Sequence, residues 1–337
     1  MAETVYDLLI LGGGCAGLTA AVYAGRAGLK TGVVEGKAVG GQAAITEEIA
    51  NYPGFISISG AELANRMLEQ AQAFGAELIQ GEATGVSLKG SPKELRLGER
   101  VLRARAVILA NGANPKRLGF EGEDRFRGHG VSYCATCDGF FFKGKEVFVI
   151  GGGHSAADEA LYLTRFARKV TVAVRRDRFS CAKTTAEKVL AHPQIEVLFH
   201  TELVRVQGDK ALESVTLLNN QTGETTEYRA PEADGTFGVF IFIGYQPSTA
   251  ALKGHVALDE DGYVLTNRLM ETDVPGVFAA GDLRRKSLRQ LVTAAADGAI
   301  AATEAERFLS GARGWQGLEE AESAPKRSAG FTGQAAH

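Results

Sequence analysis

The sequence is short of cysteine. Four occur in 337 residues, and two of them, Cys134 and Cys137, share one Cys-x-x-Cys. That is too few for a domain stapled by disulfides, and it points to a thiol pair that is used in chemistry or metal binding. No run of about 18 or more apolar residues exists, so no transmembrane helix is expected and no membrane is a partner. A basic run is also missing: 37 Lys and Arg stand against 40 Asp and Glu, a net charge of -3. Nucleic acid and anionic membrane surfaces are therefore not expected as partners. The first residues, Met1 to Leu11, lack the basic region of a secretory signal, and with so few cysteines the expected location is a reducing one, the cytoplasm. Tryptophan occurs once, at Trp315. What remains is ordinary globular composition, 45% hydrophobic and 23% charged, in a chain long enough for two domains.

Two segments repeat one plan. Tyr6-Asp-Leu-Leu-Ile-Leu-Gly-Gly-Gly-Cys-Ala-Gly17 reads as a short apolar strand and a glycine turn, followed by an alanine-rich helix to about Gly28. Lys145-Glu-Val-Phe-Val-Ile-Gly-Gly-Gly-His-Ser-Ala156 repeats the plan, its helix running to about Ala167. Each leads to a second strand, Lys30 to Glu35 and Lys169 to Val174. Two such βαβ openings predict an α/β chain with two Rossmann-like three-layer domains. Ala106 to Ala110, Val239 to Gly244 and Val277 to Asp282 read as further buried strands. Glu213 to Leu218 and Thr225 to Ala230 read as a hairpin, and Ser287 to Leu309 as a helix. From Gly311 onward the periodicity stops, and residues 312–337 are expected to be a flexible tail, with Trp315 and Phe331 as its aromatics.

Gly12, Gly14 and Gly17 follow a strand and open a helix, and Glu35 closes the next strand. The glycines allow a tight turn and close approach of a pyrophosphate to the helix N-terminus, while the acid accepts from ribose hydroxyls. Cys15, inside this loop, reads as a small apolar filler. Gly151, Gly153 and Ala156, with His154 and Ser155 between, start the second nucleotide fold. Its second strand ends in Arg175-Arg176 rather than an acid, which suits a 2′-phosphate and hence NADPH; a solvated surface pair is the plainer reading. Cys134-Ala-Thr-Cys137-Asp138-Gly139 is the centre of the chemistry. Thiols at this spacing close a small-ring disulfide, and Asp138 is placed to exchange a proton with a departing thiolate. Half of a zinc site is the rival, but Cys15 and Cys181 are isolated and no paired ligands complete it, so no metal is expected.

These segments together resemble the low-molecular-weight thioredoxin reductases. The matching stretches are GGGCAGLTAA, GGQ (Gly40 to Gln42), NYPG (Asn51 to Gly54), ANGA (Ala110 to Ala113), CATCDG, GGGHSAADEA and GDLRRKSLRQLVTAAADGAIAA, over nearly the whole chain to about residue 310. The resemblance implies an FAD domain built from residues 1–116 and 245–311, with a central NAD(P)-binding-like domain, 117–244, inserted in it and carrying the cysteine pair. It implies FAD contacts from Gly12, Gly14, Gly17, Glu35, Gly41, Gln42, Asn51, Ala110, Gly112, Gly281, Asp282, Arg289, Gln290 and Ala299. It implies NADPH contacts from Gly151, Gly153, His154, Ser155, Ala156, Arg175 and Arg176, with catalysis by Cys134, Cys137 and Asp138. Thioredoxin or a thioredoxin-like protein is the implied partner, and a homodimer the implied assembly.

The chain departs from the family where the pyridine nucleotide binds. The family's basic motif is similar to His-Arg-Arg-x-x-x-Arg, whereas this chain has Val174-Arg-Arg-Asp-Arg-Phe-Ser180, with Arg178 as the substitute cation the segment offers. The alternative reading is a pyridine-nucleotide-independent flavin disulfide oxidoreductase, driven by ferredoxin or acting as a dithiol oxidase. A non-catalytic flavin scaffold is a third, disfavoured because Cys134, Cys137 and Asp138 are all present.

Overall fold

The computed structural model describes residues 5–46 and 48–318; Phe331 lies outside them. The chain forms two compact units, one of residues 1–44, 61–113 and 247–337, the other of residues 45–60 and 114–246. Segment 45–60, which the sequence reading left in the first domain, groups with the second unit.

The first unit is built on a seven-stranded sheet. Val5–Leu11 lies at its centre, parallel to Thr31–Glu35 on one side and Arg100–Leu109 on the other. Glu77–Gln80 extends the first side. Arg100–Leu109 pairs antiparallel with Lys93–Leu97 along its first half and parallel with Val277–Ala279 along its second. Leu8, Leu9 and Ile10 have no exposed surface at all, as expected of a strand covered on both faces, where alternation is lost. One cover is the helix Cys15–Arg26 against the helix Leu291–Leu309. Their alanine and glycine content is what lets them approach: a Cβ on Gly298 would lie 2.1 Å from the Ala16 carbonyl oxygen. The second helix begins at Leu291 rather than Ser287, because the Gln290 amide donates to Thr293 Oγ1 at 3.2 Å and closes its first turn.

Residues 312–318 are packed, contrary to the tail expected from sequence. Trp315 sits edge-on against Phe278 and Phe308, with ring centroids 5.1 and 5.5 Å away. The Glu271 carboxylate accepts from the amides of Gln316 and Gly317 at 3.2 and 3.1 Å.

The second unit repeats the plan with a five-stranded parallel sheet in the order Ile195–Phe199, Lys169–Val174, Glu146–Ile150, Gly238–Ile241, Val131–Ser132. The helices His154–Leu163 and Lys183–Leu190 belong to it. The expected hairpin is present as Ser214–Asn219 against Thr225–Arg229, with Thr201–Gln207 as a third antiparallel strand. Among the described residues no helix is long and apolar enough to cross a membrane.

Candidate functional site

In the first unit the cradle forms where the parallel strands end. Gly12 adopts φ 113°, and a Cβ there would lie 2.4 Å from the Ala110 carbonyl oxygen. A Cβ on Gly17 would lie 1.9 Å from the Gly12 carbonyl oxygen. These two glycines are required by the fold itself. Gly14 differs. It caps the helix in an extended conformation, and a Cβ on it meets nothing within 4 Å, so the space above it belongs to whatever binds. The Gly40 amide donates to the Gly13 carbonyl at 2.8 Å, and Gly41, at φ 56°, approaches the Gly14 Cα. Glu35 closes its strand with both oxygens engaged, accepting from the Gly13 amide at 2.7 Å and the Lys37 amide at 2.8 Å.

Ala110 continues one strand end by donating to the Leu11 carbonyl, and Gly112, at φ 69°, accepts from the Ser248 amide. Gly281, at φ 85°, presents Asp282 beside them. Asp282 Oδ1 and Arg289 Nε are buried with no hydrogen-bond partner among the described residues, as is Asn111 Oδ1. Buried polar atoms left unpaired point to a missing polar ligand. Burial raises the Asp282 pKa, countered by Lys286 and Arg289. The Arg289 guanidinium lies 4.3 Å over the Tyr263 ring. Gln290 precedes the helix, Ala299 is half-buried within it, and Gln42 is exposed. An open glycine turn over a helix N-terminus, with unpaired acceptors and a guanidinium, fits FAD. Asn51 lies in the second unit.

In the second unit Cys134 and Cys137 are joined as a disulfide, and Ala135–Asp138 forms a single helical turn after Cys134. Ser132, at the end of its strand, fixes the entry to that turn. Its hydroxyl accepts from the Cys134 amide at 3.1 Å and donates to the Cys134 carbonyl at 3.3 Å. Asp138 follows the second sulfur directly. Burial raises its pKa, and a hydrogen bond with Ser132 lowers it in part. The 3₁₀ turn Gly139–Phe142 leaves Phe140 and Phe141 exposed beside the pair. Tyr245 donates its hydroxyl to the Tyr133 carbonyl at 2.8 Å, bracing the residue before Cys134.

The second glycine turn copies the first. Gly151 has φ 149°, and its missing Cβ would lie 2.4 Å from the Phe242 carbonyl oxygen and 3.0 Å from the Ala156 Cβ. Gly153 caps the helix in an extended conformation, with His154 and Ser155 exposed after it. His154 is engaged locally, its Nε2 3.1 Å from Asp158 Oδ2. Arg175 and Arg176 are exposed, and their backbone is pinned: Asn220 Nδ2 donates to the Arg175 carbonyl at 2.9 Å and the His200 amide to the Arg176 carbonyl at 3.1 Å. His200 takes φ 55° to do so. Arg178 lies 3.9 Å from Asp177.

Cys15, read from sequence as a small apolar filler, is buried; it donates its thiol to the Leu291 carbonyl at 3.3 Å, and burial pushes its pKa up to about 12, so it stays a thiol. Other groups escape a reading of sequence alone. Glu159 is a half-buried acid whose Oε2 has no hydrogen-bond partner among the described residues and whose pKa burial raises. Tyr263, Lys286 and Asp297 surround Asp282 and Arg289. An acid or lysine inside an apolar stretch is the one signal available for these, and it does not say what they face.

The comparisons with known proteins agree with this geometry. A family model for the pyridine nucleotide-disulphide oxidoreductases matches residues 6–298, and the chain belongs to that family. A thioredoxin reductase of Peptoclostridium acidaminophilum is 51% identical over 308 residues, covering 91% of this chain and 98% of the relative. One from Bacillus subtilis is 45% identical, covering 91% and 96%. The solved thioredoxin reductase of Streptococcus pyogenes is 39% identical, covers 92% of this chain and 100% of that one, and superposes with a TM-score of 0.87. Within the family, the chain's place is among the low-molecular-weight thioredoxin reductases. Nothing in the comparisons favours the pyridine-nucleotide-independent alternative.

Proposed function

We propose that this chain is an FAD-dependent thioredoxin-disulfide reductase that draws on NADPH. The observation that carries the reading is the Cys134–Cys137 disulfide with the carboxyl of Asp138 directly behind it. When bound, FAD supplies the two-electron relay between the nicotinamide and this disulfide. Gly12, Gly14 and Gly17 would seat its pyrophosphate, while Asp282, Arg289, Asn111 and Gln290 would meet its polar groups. Arg175 and Arg176 would hold the 2′-phosphate of NADPH against the turn at Gly151 and Gly153.

Once reduced, the pair carries out thiol–disulfide exchange. The Cys134 thiolate attacks one sulfur of the partner's disulfide, forming a mixed disulfide and releasing one partner thiolate. The Cys137 thiolate then attacks the Cys134 sulfur, reforming the internal bond and releasing the second partner thiolate. Asp138, whose pKa burial raises, exchanges a proton with a departing thiolate and recovers it on the next reduction. This division of labour between the cysteines follows the family.

The partner is thioredoxin or a thioredoxin-like protein, and the compartment the cytoplasm, where a disulfide at this spacing persists by turning over. The assembly is a homodimer. Supporting it, Val292 and Ile300 are exposed eight residues apart on one helix, and Leu288 is exposed just before that helix. Anaerobic titration of the purified protein with NADPH, NADH and reduced ferredoxin in parallel tests the reading. NADPH is expected to bleach the flavin band fastest, and the reduced protein to reduce thioredoxin. Rapid bleaching by ferredoxin alone would replace NADPH as the donor.

A further inference from the structure

A buried charge cluster stands behind Asp282. Asp297, on the helix Leu291–Leu309, has a side chain only 10% exposed, yet it collects donors from both sides of Asp282. Its Oδ2 accepts from the Gly281 amide at 3.1 Å and from Lys286 Nζ at 2.8 Å. Arg284 Nη1 lies 3.4 Å from both of its oxygens, and the same guanidinium donates through Nε to Thr266 at 2.8 Å. One carboxylate thus holds residues 281, 284 and 286 of a single turn, with Asp282 in the middle.

Lys286 lies between two acids. Its Nζ is hydrogen-bonded to Asp297 and 4.0 Å from Asp282 Oδ1, and its side chain is 7% exposed. Asp282 Oδ1 is itself buried without a hydrogen-bond partner among the described residues. A buried ammonium seeks the nearest carboxylate, since an unpaired one is strongly disfavoured. What keeps Lys286 off Asp282 is the better bond to Asp297. Asp297 is in turn fixed by its helix, because Gly298 packs backbone to backbone on Ala16, next to the first glycine turn.

We propose that Asp297 is a positioning residue for flavin binding: by holding Lys286 and the Gly281 amide, it keeps Asp282 out of a direct lysine pair and available to hydroxyl donors of the cofactor. The inference rests on the flavin reading above and adds a specific competition to it. Without Asp297's charge, Lys286 turns to Asp282 Oδ1 and occupies the acceptor the cofactor needs. An asparagine keeps the shape and can still accept from Gly281, so the effect belongs to the lysine.

The test is flavin release from the holoenzyme, followed as recovery of free-flavin fluorescence, for the unmodified protein, Asp297→Asn, Lys286→Met and the double variant. Asp297→Asn is expected to release flavin about tenfold faster or more, the loss of one charge-assisted bond. Adding Lys286→Met is expected to restore slow release, since the competitor is gone, and Lys286→Met alone to stay within about threefold of the unmodified protein. Release from Asp297→Asn at the unmodified rate overturns the proposal, as does a double variant that releases as fast as the single one. If Asp297→Asn yields no folded holoenzyme, Lys286→Met decides alone: release about tenfold faster would make the lysine itself a flavin ligand and overturn it. A colourless unmodified protein would instead sink the flavin reading.

Discussion

The backbone amide of Asp138 donates to the carbonyl of Cys134 at 3.1 Å, so one helical turn carries both sulfurs and the carboxyl that serves them. The arrangement needs no long-range accident. Ser132 anchors the turn from the strand end, and the next residue after Cys137 is the acid. Replacing Asp138 therefore separates chemistry from stability. Burial raises its pKa, so the folded chain binds that proton more readily than the unfolded chain does. The stabilising contribution is greatest below the ordinary carboxylate value and is lost as pH rises through the raised one. Asp138→Asn is expected to melt at the same or a higher temperature than the unmodified protein at pH 8, the difference vanishing below about pH 4. Turnover with thioredoxin should fall on the order of 100-fold. A clear loss of melting temperature at pH 8 would show that the ionised carboxylate supports the fold.

Cys137→Ser leaves Cys134 able to attack but removes the group that resolves the mixed disulfide. The reduced variant is expected to accumulate a covalent adduct with thioredoxin, visible on a non-reducing gel, while keeping its yellow colour. Cys134→Ser should give no such adduct. Adduct formation by Cys134→Ser and not by Cys137→Ser would reverse the two roles.

Gly12 and Gly14 share a motif but not a reason. A side chain at Gly12 meets the Ala110 carbonyl at 2.4 Å and must adopt φ 113°, so Gly12→Ala is expected to destabilise the protein by about 2–4 kcal/mol and shed flavin as a consequence. At Gly14 the added Cβ meets nothing within 4 Å among the described residues. Gly14→Ala should leave the melting temperature of flavin-free protein unchanged and weaken flavin retention directly. Equal destabilisation by the two changes would mean that the open space at Gly14 is not a ligand site.

The motif glycines, the cysteine pair and the strands around Leu8 and Val149 were legible because they are local: a turn, a spacing of three, a run covered on both faces. The Asp297 clamp was not. It joins residues 281, 284, 286 and 297 through helix phase and the direction of one turn, and alanine-rich sequence on either side hides it. The segment 45–60 has no period to mark which unit it joins. Residues 312–318 misled for a third reason. Two of their anchors are backbone amides, those of Gln316 and Gly317 on Glu271, and backbone hydrogen bonds leave no trace in composition.

The basic turn tests the donor. Arg175 and Arg176 are exposed, with carbonyls pinned by Asn220 and His200, so their side chains can be removed without touching the fold. Arg176→Ala is expected to raise KM for NADPH about tenfold, with kcat nearly unchanged and KM for NADH barely moved. The same loss for both nucleotides would place the guanidinium on something other than the 2′-phosphate.

Trp315 offers a last separation, between packing and hydrogen bonding. Its ring is half-buried against Phe278 and Phe308, but its Nε1 is buried with no partner among the described residues. The ring stabilises by contact, whereas the orphaned donor costs free energy. Trp315→Ala should destabilise by about 1–3 kcal/mol in chemical denaturation. Trp315→Phe keeps an aromatic edge and drops the donor, so it should cost less than half as much. Because Phe278 lies on the strand that leads into Gly281 and Asp282, the alanine change should also hasten flavin release, whereas the phenylalanine change should not. Equal losses from both would mean that the indole nitrogen is satisfied in solution.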